Sequence, residues 1–267
     1  MNITKVVSNN KSEFKKSNDL INGKYKSTLA TNKIMAIALS KIQNINDRPV
    51  AYLDTDDLRN AFPNYSKTSG SFYDKLKNVS DELLDLKIIV EDYNTNSFKN
   101  MNLIGVVSYF DGELTIQFEP NATEYLLNIN KHYTLLNLSY LLSFSNNYSF
   151  RLYEMLRSKA YGNQDLNNDI NYSITYNLSE LKLDLGLVDY QSILKEFKKK
   201  NIDYDYIVNN VAKTKKYSEF REFKRKVLDI AIQEINTYTD LFVTYSPIRT
   251  GKGGKTTGVI FNFKKKK

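Results

Sequence analysis

Residues 217–263 read YSEFREFKRKVLDIAIQEINTYTDLFVTYSPIRTGKGGKTTGVIFNF. Phe220, Phe223, Val227, Ile230, Ala231 and Ile235 recur at helical spacing, which predicts an amphipathic helix over 220–236. Arg221, Arg225 and Lys226 fall on its outward face, with Lys224 on the flank. Leu241–Tyr245 and Val259–Phe263 are rich in Val, Phe, Tyr and Ile and partly alternate, which predicts two strands. The turn between them, Arg249–Gly258, is made of glycine and cations. A basic helix running into a hairpin with a basic tip is the outline of a winged helix. There the helix can enter a major groove while the tip touches the backbone beside it. A Lys/Arg-rich outer face is equally what a solvated helix carries, so both readings stay open on this helix alone.

The 267 residues are 41% hydrophobic and 13% aromatic, enough for one large packed domain or two ordinary ones. Against 38 Lys and Arg stand 30 Asp and Glu, a net charge of +8. That balance favours a polyanionic partner, nucleic acid before an anionic membrane surface. The excess is modest, so specific binding needs the cations clustered. The absence of cysteine removes disulfides, thiol nucleophiles and cysteine-bound metal centres, and suits the cytoplasm. Residues 1–18 lack the apolar core of a signal peptide. The longest clean apolar run, Ile34–Leu39, is too short to span a bilayer, so no membrane role is expected.

Residues 1–24 are polar and mixed in charge, as in a flexible arm. Leu29, Ile34, Ile37, Ala38, Leu39 and Ile42 mark a first helix over 26–43. Arg48–Leu53 predicts a short strand. The acidic run Asp54–Asp57 suits a helix start and opens a short helix over 56–62. Phe72, Leu76, Val79, Leu83 and Leu86 line one face of a helix over 69–86, with Lys67, Ser71, Lys75 and Asn78 off that face. Ile88–Tyr93 begins a strand, and residues 94–100 look like a polar turn. Leu103–Phe110 and Glu113–Phe118 flank Asp111-Gly112, a strong hairpin signal. Residues 122–130 predict a short helix.

Beyond a boundary near residues 130–133 the plan recurs. Leu135–Phe144 and Ser149–Ala160 predict helices, residues 162–171 a polar loop and Tyr172–Tyr176 a strand. Ser179–Leu185 predicts a short helix, capped by Asn177 or Ser179 and ended by Gly186. Each half runs helix, short strand, short helix, longer helix, hairpin, with almost no identity between the halves. The fold class is α+β: two tandem winged-helix domains related by a pseudo-repeat, over 25–130 and 131–267. The Lys264–Lys267 end reads as a solvated tail.

The motifs point away from catalysis. Gly251–Thr257 (GKGGKTT) imitates a phosphate-binding loop, but that pattern needs glycine where Arg249 stands and a helix where a strand follows. His132 is the only histidine, too few for a two-histidine metal cluster, and suits a structural place at the domain junction. No G-x-S-x-G elbow is present. The 20 tyrosines include none singled out as a nucleophile. Glu234 falls on the apolar face of the basic helix, as a buried hydrogen-bonded or ion-paired group would. No cofactor is expected.

Three stretches together resemble the iteron-binding plasmid replication initiator (Rep) proteins, built from two winged helices. Tyr217, Phe220, Phe223, Val227, Leu228, Ala231, Glu234, Ile235 and Asn236 are similar to the family's signature helix. Ser149, Arg151, Leu152, Tyr153, Glu154 and Leu156 match its S-x-R-L-Y-E-x-L stretch, and Tyr133-Thr134 fits upstream. Residues 189–216 are longer than the resemblance leads one to expect. They hold a near-echo of the signature in Tyr190, Phe197 and Lys198–Lys200. The resemblance implies binding to direct repeats in duplex origin DNA, opening of AT-rich DNA, recruitment of host replication proteins and repression of the protein's own gene. It also implies a homodimer in equilibrium with monomer, with the first domain giving DNA contacts and dimerisation and the second the main sequence-specific contact. The expected DNA-binding residues are Arg221, Lys224, Arg225 and Lys226 on the helix, Lys252, Lys255 and Thr256 on the wing, and Lys67, Ser71 and Lys75 in the first domain. Rival readings are a transcriptional repressor only, or an origin-nicking enzyme using a tyrosine.

Overall fold

The computed structural model describes residues 4–5, 12–23, 27–62, 70–92, 97–127, 129, 131–160, 171–188, 191–193, 196, 202–213, 215–251 and 254–266. The chain forms two compact units, one holding the described residues to Gly23 with Ser27–Ser143, the other running from Phe144 onward.

The first unit begins with β1 (Thr4–Lys5), β2 (Glu13–Ser17) and α1 (Asn18–Asn22), followed by α2 (Leu29–Lys41). Every residue from Thr31 to Leu39 is buried, so α2 is the central helix and not a surface one. Its buried Lys33 is satisfied by donating from Nζ to the Leu142 carbonyl at 2.7 Å. Then come β3 (Gln43–Ile45), β4 (Arg48–Leu53), α3 (Thr55–Ala61) and α4 (Gly70–Leu84). Asp54 and Asp57 close a capping box at the start of α3: Asp54 Oδ1 accepts from the Asp57 amide at 3.0 Å and Asp57 Oδ2 from the Asp54 amide at 3.0 Å. The unit continues with β5 (Lys87–Asp92), β6 (Ser97–Asn102), β7 (Ile104–Phe110) and β8 (Glu113–Phe118). It ends in α5 (Thr123–Leu126), β9 (Tyr133–Asn137) and α6 (Leu138–Ser143). The main sheet has the order β1-β3-β4-β8-β7. Its β7–β8 turn has φ of 46° at Asp111 and 88° at Gly112, the left-handed pair an Asp-Gly hairpin requires.

Several sequence expectations are corrected in this unit. Residues 13–22 are not a loose arm: β2 pairs antiparallel with β9, from Glu13↔Asn137 to Ser17↔Tyr133. Residues 135–144 are therefore strand before they are helix, with the period-two burial of a half-covered strand over Tyr133–Asn137. The pairing carries the first unit past residues 130–133 to Ser143. Residues 94–100 are not all turn either, since polar β6 pairs with β5 from Lys87↔Asn102 to Asp92↔Ser97. Helix over 122–130 shrinks to α5 after a short 3₁₀ turn, Pro120–Ala122.

The second unit opens with α7 (Asn147–Lys159), β10 (Tyr172–Asn177) and α8 (Leu178–Asp184). Asn177 caps α8, accepting from the Ser179 and Glu180 amides at 2.8 and 3.1 Å. Gly186 follows at φ 71°, a left-handed stop. The long connection contains a 3₁₀ turn (Gln191–Ile193), then α9 (Tyr204–Tyr206) running into a π turn, Ile207–Val211. Val188, Ile193, Ile207 and Val208 bury themselves against Leu183 of α8, so the described part of the insertion has a small core of its own. Tyr190 and Phe197–Lys200 lie outside the described residues. The signature helix comprises α10 (Phe220–Phe223), a π turn (Lys224–Leu228) and α11 (Asp229–Tyr238). A hairpin, β11 (Leu241–Thr250) and β12 (Lys255–Lys265), completes the unit. The order β10-β12-β11 repeats β4-β8-β7, so each of these three-strand sets seats one strand of its closing hairpin between the other two.

One interaction also recurs. Glu82, near the end of α4, accepts from the Thr28 amide at 2.9 Å and from the Thr31 hydroxyl at the start of α2. Glu234 of α11 accepts from the Ser145 amide at 3.2 Å and from its hydroxyl, just ahead of α7. Each carboxylate meets the positive end of a helix, α2 in the first unit and α7 in the second. Aligned on these glutamates, buried Leu76, Val79 and Leu83 correspond to buried Leu228, Ala231 and Ile235, whereas Phe72 reaches Phe223 only after one extra residue. The π turn supplies that residue.

The wide turn also corrects the predicted face. Leu228 is wholly buried with Phe223, Val227, Ala231 and Ile235, and Ile230 is only half-buried. Leu228→Ala is expected to cost about 2–5 kcal/mol in urea unfolding, and Ile230→Ala distinctly less. The reverse order would restore the uninterrupted helical period. Lys182→Met is expected to cost about 1–3 kcal/mol, because Lys182 Nζ donates to the Tyr217 and Ser218 carbonyls at 2.7 and 3.0 Å. Amide exchange at Phe220–Phe223 is expected to quicken with it, and unchanged exchange there would contradict an anchoring role.

Candidate nucleic-acid interface

The signature helix is held from several sides. Tyr217, at φ 52°, lies just ahead of its Glu219 cap. Lys182 of α8 binds the carbonyls there and lies 5.4 Å from the centre of the Phe223 ring. Burial, then the nearby charge of Lys215, lowers the Lys182 pKa. Tyr148 of α7 is pushed up to about 12, by burial first and then by Tyr217, with which it hydrogen-bonds. At the far end Asn236 clasps β11, donating to the Val243 carbonyl at 2.8 Å and accepting from its amide at 2.7 Å. Lys266 corrects the expectation of a solvated tail: its Nζ donates to the Asn236 carbonyl and, at 2.6 Å, to the Thr239 carbonyl, capping α11.

With one side so enclosed, the cations must point outward. Arg221, Arg225 and Lys226 are exposed. Among the described residues their side chains have no hydrogen-bond or ion-pair partner. Lys224 differs: its Nζ donates to Asp229 Oδ1 at 3.0 Å and Oδ2 at 2.8 Å. Tyr245 of β11 donates to the same Oδ1 at 2.6 Å. The hydrogen bond to Asp229 raises the Lys224 pKa. Burial is the largest influence on Asp229 and acts upward, but the bonds from Lys224 and Tyr245 and the Lys224 charge leave it below the ordinary 3.8. Burial, then Asp229, pushes Tyr245 up to about 12.

On the wing, Lys255 is exposed and Thr256 half-buried. Arg249, absent from the expected set, is exposed and sits opposite Thr256. Its side chain lies beside Gly254, whose φ of 60° shapes the turn. Lys252 lies outside the described residues. Lys255 opens β12 directly, so the GKGGKTT stretch leads into a strand and not the helix a nucleotide loop requires.

The first unit presents less charge. Ser71 and Lys75 are exposed on α4, alongside Asp74 and Asp81, while Lys67 lies outside the described residues. Its β7–β8 tip is acidic, with exposed Asp111 and Glu113 beside Phe110, 85% exposed. His132 is exposed, with φ 55°, and its carbonyl accepts from the Asn18 amide at 2.8 Å. It therefore lies within the first unit and not at a junction. Among the described residues, no His, Asp and Glu cluster suited to a metal occurs, and no helix is long and apolar enough to cross a membrane.

The residues missed from sequence are Asp229, Tyr245, Lys182 and Arg249. Asp229 is displaced by the π turn, and Tyr245 and Lys182 meet the helix only through tertiary packing. Arg249 alone was visible, as a cation in the predicted turn.

The family model for Initiator Replication protein, WH1, matches residues 13–157, and that for Initiator Rep protein, WH2, matches residues 210–263. No curated protein reaches a significant match. The fold is similar to the crystal structure of the Pi initiator protein in complex with iteron DNA: TM-score 0.66 and 21% identity, over 96% of this chain and 98% of that one. Domains 2 and 3 of RctB align at 14% identity and TM-score 0.42, over 89% of this chain and 80% of that one. With its two winged helices and a model match covering more than half its length, the chain belongs to the initiator replication protein family.

Proposed function

We propose that this replication initiator acts on a plasmid origin by binding direct repeats through its second winged helix. The observation that carries this reading is the cation set Arg221, Arg225 and Lys226, exposed opposite a fully buried stripe and accompanied by Arg249 and Lys255 on the wing. Arginine can take guanine O6 and N7 with two hydrogen bonds, whereas lysine on a wing neutralises phosphate. The Pi initiator, similar in fold, was crystallised with iteron DNA, which supports repeats as the target. Ser71 and Lys75 of α4, with Lys67 and Lys252, give secondary contacts.

In this reading binding promotes opening of the adjacent duplex and recruits host replication proteins in the cytoplasm. A homodimer in equilibrium with monomer represses the gene. The protein forms no covalent bond with DNA and needs no cofactor. The domains divide the work, with sequence-specific binding in the second and supporting contacts and dimerisation in the first.

Arg225→Ala is expected to lose about 1–3 kcal/mol on the repeats flanking the gene and much less on scrambled duplex. Equal losses would make Arg225 a backbone contact. Lys255→Ala is expected to weaken both duplexes alike and to flatten the slope of log affinity against log salt by about 0.9. A denaturing gel after incubation with supercoiled origin DNA is expected to show no adduct, and a protein-linked strand would establish the nicking reading. A plasmid bearing the repeats is expected to replicate only when the gene is supplied, and replication without it would leave repression as the function.

A further inference from the structure

The π turn brings together two groups that an unbroken helix would separate. In an α-helix, residues five apart point well away from each other. Here the Asp229 amide bonds back to the Lys224 carbonyl, closing the wide turn. Lys224 and Asp229 consequently share one side, with both carboxylate oxygens within 3.0 Å of the ammonium. Tyr245 reaches in from β11 and fixes the same carboxylate at 2.6 Å. A partly exposed acid, oriented by a neighbouring strand, thus stands among the cations of the helix that meets DNA in the reading above.

We propose that Asp229 is a specificity-determining residue, which holds Lys224 away from phosphate on non-cognate DNA and accepts a hydrogen bond from a base donor at the cognate site. Two physical facts support the exchange. An exposed ion pair contributes little stability, so Lys224 is released readily when a better arrangement is offered. The carboxylate left behind is repelled by phosphate on every sequence and is compensated only where a base presents a donor, as cytosine does through N4 and adenine through N6. Discrimination then arises from penalising the wrong partner as much as from favouring the right one. This inference rests on the proposed DNA-reading role of the signature helix.

Asp229→Asn is the test, because the amide keeps size and can still accept from Tyr245. Binding to the gene's flanking repeats and to a scrambled duplex is measured across a salt series for wild type and variant. The scrambled duplex is expected to bind several-fold more tightly, with a slope steeper by about 0.9, the change for one added phosphate contact. The repeats are expected to gain less or to lose, so the preference falls. In a Lys224→Met background the steepening is expected to vanish. A wild type that prefers the repeats, with a variant of unchanged preference, would overturn this inference alone. A wild type with no preference would overturn the DNA-reading role and this inference with it.

Discussion

The second unit depends on one buried stripe. Phe223, Val227, Leu228, Ala231 and Ile235 are each wholly enclosed, and truncating any of the larger ones would leave a cavity that a close-packed interior fills poorly. This requirement fixes the rotation of the helix about its axis. Once it is met, Arg221, Arg225 and Lys226 have nowhere to point but solvent. The charge pattern of the helix is thus a consequence of core packing, refined by the wide turn at Lys224–Leu228. π turns tend to sit at functional places because they change which side chains share a face.

The glutamate pairing with a helix start is the second organising contact, and its presence in both units gives the pseudo-repeat physical content. Glu82 ties α4 to the start of α2, and Glu234 ties α11 to the start of α7. The same logic accounts for the family-like stretches. Ser149, Arg151, Tyr153 and Glu154 are buried, Arg151 with its guanidinium 3.6 Å from Glu154. Tyr217 and Asn236 bind α7 and β11. The residues that make this chain recognisable hold the scaffold, whereas the cations proposed to read DNA sit at positions the signature leaves open.

Much of the fold was legible in the sequence because its signals are local. The Asp-Gly hairpin, the Asn177 cap, the stripe along α4 and the strands of the basic wing depend on neighbours a few residues apart. What was hidden depends on distance in the chain. The partner of β9 is β2, more than a hundred residues earlier, so Leu135 and Leu136 looked helical beside Leu138 and Leu141. β6 is held by backbone ladder bonds that its polar side chains do not announce. The π turn inserts one residue without any composition to mark it, so Leu228 and Ile230 exchanged places between the expected and the observed face. The cations were found by charge and spacing. The acid that binds one of them was not, since its partner lies a non-helical five residues away.

Methylation interference at guanine N7 on the repeats is the sharpest test of base reading by the signature helix, because N7 lies in the major groove and accepts from arginine. Interference is expected at guanines recurring once per repeat, with one of them silenced when Arg225 is replaced by alanine. Interference confined to phosphate ethylation, or a guanine pattern indifferent to Arg225, would contradict base reading and return the basic face of the helix to the status of a solvated surface.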